Sequence, residues 1–102
     1  MSDILKAAFI FVAPNADPSS HRNWVRTEAV ELLAVAVKDY AQAETVAREL
    51  VEKDGIKAIE LCGGFGTAGT ARIAAAVNVP VGVVRFDVHP GLGNVSGDTL
   101  FG

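Results

Sequence analysis

The chain has 102 residues, half of them hydrophobic, with nine basic and twelve acidic side chains and a formal net charge of −3. This length supports one modest core and one domain, and interspersed charge of both signs without a basic stripe argues against nucleic acid as a partner. A single cysteine excludes an internal disulfide, and the lack of a leader-like start or a bilayer-length apolar run leads to the expectation of a soluble cytoplasmic protein with no membrane association.

Lys6–Ala13 (KAAFIFVA) is nearly continuously apolar and is stopped by Pro14, so it reads as a first strand buried on both faces. Asn15–Ser20 is turn chemistry. His21–Glu28 fits neither period: Ser20 could cap a helix, yet Trp24, Val25 and Thr27 also suit extended backbone. Trp24 and Arg26 there are candidates for a lid or an oligomer contact. Val30–Val37 is short and valine-rich, a second strand.

Asp39 with Gln42 has capping-box spacing and opens an amphipathic helix. Ala43, Val46, Ala47, Leu50 and Val51 form its apolar stripe, and Glu44/Arg48 and Glu49/Lys53 form i, i+4 pairs on the opposite side. Gly55 fits the position after the helix. Ile56–Cys62 is the third strand, Thr67–Val77 an alanine-rich second helix and Val81–Asp87 the fourth strand. The segment 88–102 has no period and reads as an irregular tail, although Leu92, Leu100 and Phe101 imply that parts of it dock.

Alternating strands and helices predict a single α/β domain over residues 1–102, about four mostly parallel strands with two main helices and a Rossmann-like βαβαβ core. If the later strands lie in simple order, both helices cover one face and the other needs a partner, so a homo-oligomer is expected.

The junction Cys62-Gly63-Gly64-Phe65-Gly66-Thr67 carries the functional expectation. Its glycines permit a sharp turn through positive φ, Thr67 is a candidate N-cap, and the first amides of the helix can meet a phosphate or carboxylate. Gly64–Gly69 spells G-x-G-x-x-G, with Asp87 near the end of the next strand where a dinucleotide fold places an acid. Ligands in open α/β sheets sit beyond the carboxyl ends of the strands. The expected binding residues are therefore Asn15, His21, Gly63, Gly64, Phe65, Gly66, Thr67 and Arg85.

Cys62, just before a helix amino terminus, is a candidate nucleophile or a small buried residue. Asp87 and His89 share a face in extended backbone and could act in catalysis or simply bond the turn before Pro90. No dense ligand spacing indicates a metal. Glu60, in the middle of an apolar strand, reads as a partner of Arg85 in an ion-pair network, and as a pocket acid otherwise; Arg85 is expected to pair with Glu60 or Asp87, or to meet an anionic ligand. No cofactor is specified.

The strings AFIFVAPNADPSSHR (Ala8–Arg22), VKDY (Val37–Tyr40), AIELCGGFG (Ala58–Gly66) and VRFDVHPG (Val84–Gly91) resemble a family of small bacterial and archaeal proteins of unknown function, over nearly the whole chain. That resemblance implies no activity and transfers no catalytic residue. The expectation is a protein that binds a small polar or anionic metabolite at the glycine-rich loop. The alternatives are a ligand-free assembly protein, and a nucleotide-binding or cysteine-dependent enzyme.

Overall fold

The computed structural model describes residues 3–102. Its centre is a five-stranded sheet in the order β2-β3-β1-β4-β5, with β1 Leu5–Val12, β2 Arg22–Arg26, β3 Val30–Val37, β4 Ala58–Leu61 and β5 Val81–Val83. β1 runs parallel to both β3 and β4, and β4 parallel to β5. Only β2 is antiparallel, hairpinned onto β3. The α/β expectation is met, with one strand more than predicted.

That extra strand is the segment whose period was ambiguous. Its edge position explains the ambiguity: one side of β2 has no neighbour, so only half-buried Trp24 is held to an apolar setting. The hairpin is pinned by Thr27, whose amide donates to the Val30 carbonyl at 2.8 Å and whose Oγ1 accepts from the Val30 amide at 3.0 Å. Arg26 lies over the Trp24 ring at 4.4 Å and pairs with Glu31 at 2.8 Å, so these residues knit a sheet edge instead of forming a lid.

Helix α1 covers Tyr40–Lys53. Asp39 accepts the Gln42 amide at 2.8 Å as predicted, while the Gln42 side chain turns back to the Lys38 amide instead of that of Asp39. Ala43, Val46, Ala47 and Leu50 are buried, and Gly55 takes φ of 69° beyond the helix end. The Glu49–Lys53 pair forms at 3.6 Å. Glu44 instead reaches Arg72 on the neighbouring helix α2, Thr67–Ala76, at 2.7 Å, replacing the expected bond to Arg48.

Both helices pack side by side on one face, over Ala8, Ile10, Leu33, Val35, Ile59 and Leu61. Period-2 alternation sends the intervening residues, among them Phe9, Phe11, Leu32 and Ala34, to the other face. Among the described residues no helix covers that second face.

Two expectations about the second half of the chain are corrected. The last strand ends at Val83, not Asp87; Val84 still donates to the Leu61 carbonyl at 3.0 Å, after which residues 85–88 leave the sheet as an exposed segment. The tail is not irregular: it contains a 3₁₀ turn at Pro90–Leu92, a bridge between His89 and Val95, and helix α3 at Gly97–Phe101, whose Ser96 cap accepts the Asp98 amide at 3.2 Å.

Candidate functional site

Parallel strands β1, β3 and β4 all end on the same side of the sheet, where the segment 89–101 folds back over them. Between the two lies a cleft of about 510 Å³. Val12, Cys62 and Gly64 form its floor, Pro14 and Lys38 stand on one side, and His89, Leu92, Leu100 and Phe101 form the wall contributed by the tail.

The floor is set by the turn Cys62–Phe65, closed by a 3.0 Å bond from the Phe65 amide to the Cys62 carbonyl. Cys62 is anchored by its own amide on Ile10, and its sulfur accepts the amides of Gly64 at 3.2 Å and Val12 at 3.4 Å. On the opposite wall, Nδ1 of His89 accepts the Gly91 amide at 2.9 Å, so in the neutral ring Nε2 carries the proton. The ring also meets Phe86 edge-on at 5.0 Å between centroids.

The amino terminus of α2, the expected anion cradle, holds a carboxylate from within the chain. Asp98 accepts the amides of Ala68 at 2.9 Å and Gly69 at 3.2 Å. Two residues before Ala68, the Gly66 amide donates to the Tyr40 hydroxyl at 2.9 Å, which lies 3.2 Å from Asp98 Oδ1. Thr67 is therefore not the N-cap. Gly66 occupies that position without a side-chain bond, and Asp98 does the capping from thirty residues away.

Glycine serves space here, not positive φ, which among the described glycines only Gly55 and Gly93 adopt. A Cβ on Gly66 would fall 2.3 Å from the Asp98 carboxylate, and one on Gly69 would fall 2.4 Å from the Tyr40 ring. The G-x-G-x-x-G run thus makes room for Tyr40 and Asp98. Tyr40 is buried, stacked on Phe65 at 5.2 Å and tilted against Phe101 at 5.4 Å.

Charge balance follows this geometry. Burial pushes the Asp98 carboxyl up, but the Ala68, Gly69 and Thr67 amides and the Tyr40 hydroxyl outweigh it and hold the group below its ordinary value. Burial, reinforced by the neighbouring Asp98, pushes the Tyr40 hydroxyl up. A carboxyl depressed on folding stabilises the protein above its unfolded pKa, and that contribution is lost as pH falls through the folded value. Asp98→Asn is expected to cost about 1–2 kcal/mol at neutral pH and to flatten the acid limb of the stability profile below about pH 4. Urea denaturation of both proteins between pH 3 and 7 checks this; an unchanged acid limb would remove Asp98 from its capping role.

The expected site residues fall in different places. Cys62, Gly64 and His89 line the main cleft. Gly63 is buried, with Phe86 and His89 against the position a Cβ would take, and Phe65, buried in the core, lies beneath a second hollow near β5 and not in the main cleft. Gly66, Thr67 and Arg85 border that second hollow, of about 290 Å³. Arg85 pairs with exposed Asp87 at 3.0 Å, leaving Glu60 outside the expected network and exposed on the uncovered sheet face.

Asn15 is an exposed turn residue with φ of 58°. His21 also lies away from the cleft, where its Nδ1 accepts the Asp17 amide at 2.9 Å beside Phe11. Lys38, at the carboxyl end of β3 where a pocket was expected, does line the cleft, whereas sequence reading missed Tyr40 and Asp98 as the closure of the loop. Tyr40 had a signal, an aromatic directly after the cap of an amphipathic helix, whereas Asp98 had none that was local. Among the described residues no group of three His, Cys, Asp or Glu is placed to hold a metal. Nor is any helix long and apolar enough to cross a membrane.

Fold and cleft together define a small α/β protein with a largely apolar hollow at the carboxyl ends of its parallel strands. The chain belongs to the family of unknown function DUF6506, whose sequence profile matches residues 5–99, from β1 into α3. No curated protein and no solved structure matches it.

Proposed function

We propose that the protein binds a small metabolite with a compact apolar body and one anionic or polar group, in the cleft beside Gly64. The observation that carries this is the composition of the cleft: Lys38, His89 and the Cys62 sulfur converge on a hollow otherwise walled by Val12, Leu92, Leu100 and Phe101. Its volume of about 510 Å³ falls within the range of small-molecule sites, and its place beyond the strand ends is where open α/β sheets bind ligands. Lys38 supplies the charge for an anionic group, and the Nε2–H of His89 a directional donor.

The ligand sits next to the glycine-rich loop and not on the amino terminus of α2, because Asp98 already satisfies those amides. A dinucleotide on the G-x-G-x-x-G run would have to displace this carboxylate. A ligand-free assembly role is the second reading, favoured by that same closure and by the uncovered sheet face.

A thermal-shift screen of carboxylates and phosphates bearing short aliphatic or aromatic bodies tests the proposal. A ligand at ten times its Kd contributes about 1.4 kcal/mol, an expected Tm rise of about 6–10 °C. Lys38→Met should reduce the rise, and Leu92→Trp, which fills the hollow, should abolish it. Silence across the screen, or a rise that survives in both variants, would refute binding in this cleft.

A further inference from the structure

The sheet face opposite the helices is built to receive a second copy of this chain, and we infer that the protein is a face-to-face dimer about a two-fold axis running along the strands, between β1 and β3. The strand register carries the argument. One row across the sheet reads Asn23, Ala34, Phe9, Glu60, and the row beside it Val25, Leu32, Ala7, Ala58. Towards the strand ends, Phe11 lies beside Ala36.

A two-fold axis in that position exchanges β1 with β3 and β4 with β2 while leaving each row in place. In these rows each large residue then faces a small one of the other copy, Phe9 over Ala34, Phe11 over Ala36, Leu32 over Ala7 and Val25 over Ala58, while at the strand starts the exposed apolar Leu5 and Val30 meet. The only carboxylate of these rows, on Glu60, faces the side-chain amide of Asn23. An axis perpendicular to the strands through the Phe9 row would instead set Glu60 against Glu60, a like-charge contact. Packed sheets cross at about 30°, so the Phe9/Ala34 and Phe11/Ala36 pairs nearest the axis meet most directly.

Shape and area agree with this occupant. Beside Phe11, on its β3 and β2 side, lie hollows of about 290 and 230 Å³ floored by Ala36 and Ala34, open to an incoming aromatic ring. Val25 is 61% exposed, as befits an apolar residue whose partner lies outside the chain. Four strands about 4.8 Å apart, of eight, five, eight and four residues at about 3.3 Å each, give on the order of 400 Å² in plan. The side-chain relief adds to this, towards the roughly 800 Å² that each partner contributes to a stable complex.

Sedimentation equilibrium over a micromolar concentration range tests the dimer. Wild type is expected to be dimeric. Ala34→Phe sets a second ring against Phe9 and should weaken association about tenfold or more, with the fold intact by circular dichroism because this side chain points away from the helices. The exchanged double variant Phe9→Ala/Ala34→Phe restores large against small and should recover the dimer. A wild-type monomer at 100 times the micromolar level expected to suffice, about 0.1 mM, would overturn the inference. So would an assembly indifferent to Ala34→Phe, or one that the double variant does not restore.

Discussion

Tyr40→Ala is expected to destabilise the protein by about 4 kcal/mol, the cost of emptying a large aromatic site in a close-packed core. The ring is buried between Phe65 and Phe101, and its hydroxyl joins the Gly66 amide to Asp98. Tyr40→Phe separates the two contributions. It keeps the ring but strands the Gly66 amide and removes a bond to Asp98, for an expected loss of about 1–3 kcal/mol. Chemical denaturation measures both, and equal losses in the two variants would show that the ring itself contributes little.

Gly97→Val is the second large effect. A Cβ at this position would lie 1.8 Å from the Gly64 carbonyl oxygen and 2.7 Å from the Tyr40 hydroxyl. The first of these is backbone held by the turn after β4 and cannot swing aside, so α3 must lift from the loop. A loss of about 3 kcal/mol is expected, with the wall of the cleft displaced and the segment after β5 cut faster by protease. Gly82→Ala is the control: nothing lies within 4 Å of the position of its Cβ, and a change within about 0.5 kcal/mol is expected. If Gly97→Val protects this segment as well as wild type does, the docking of α3 is not what shapes the cleft.

The parts of this fold legible in the sequence are those determined over short distances. The apolar run at Ala7–Val12, the stripe of α1 and the cap at Asp39 each follow from neighbouring residues, and each forms where expected. β2 was not legible because an edge strand with one half-buried side chain has no strong alternation. Strand order was hidden for another reason: the placement of β1 between β3 and β4 depends on which strands pair with its two hydrogen-bonding edges, a choice that the order of elements does not encode.

The loop after β4 is the most instructive case. Its glycines and the helix that follows do mark a place for negative charge, and a carboxylate does sit there. That carboxylate is Asp98, brought in by a short helix whose docking requires glycine at position 97. Local reading sees donors without acceptors; only the fold reveals that the acceptor is thirty residues downstream.

The parallel pairing of β1 has a consequence for how the molecule is made. Residue 7 waits for residue 32 on one side and residue 58 on the other. During synthesis the sequence AAFIFV therefore emerges with both hydrogen-bonding edges bare, and no hairpin can shelter it in the interim. Slow, all-at-once closure of the sheet is the natural outcome for a chain whose middle strand comes first, and nascent copies are most prone to sticking together before β4 arrives.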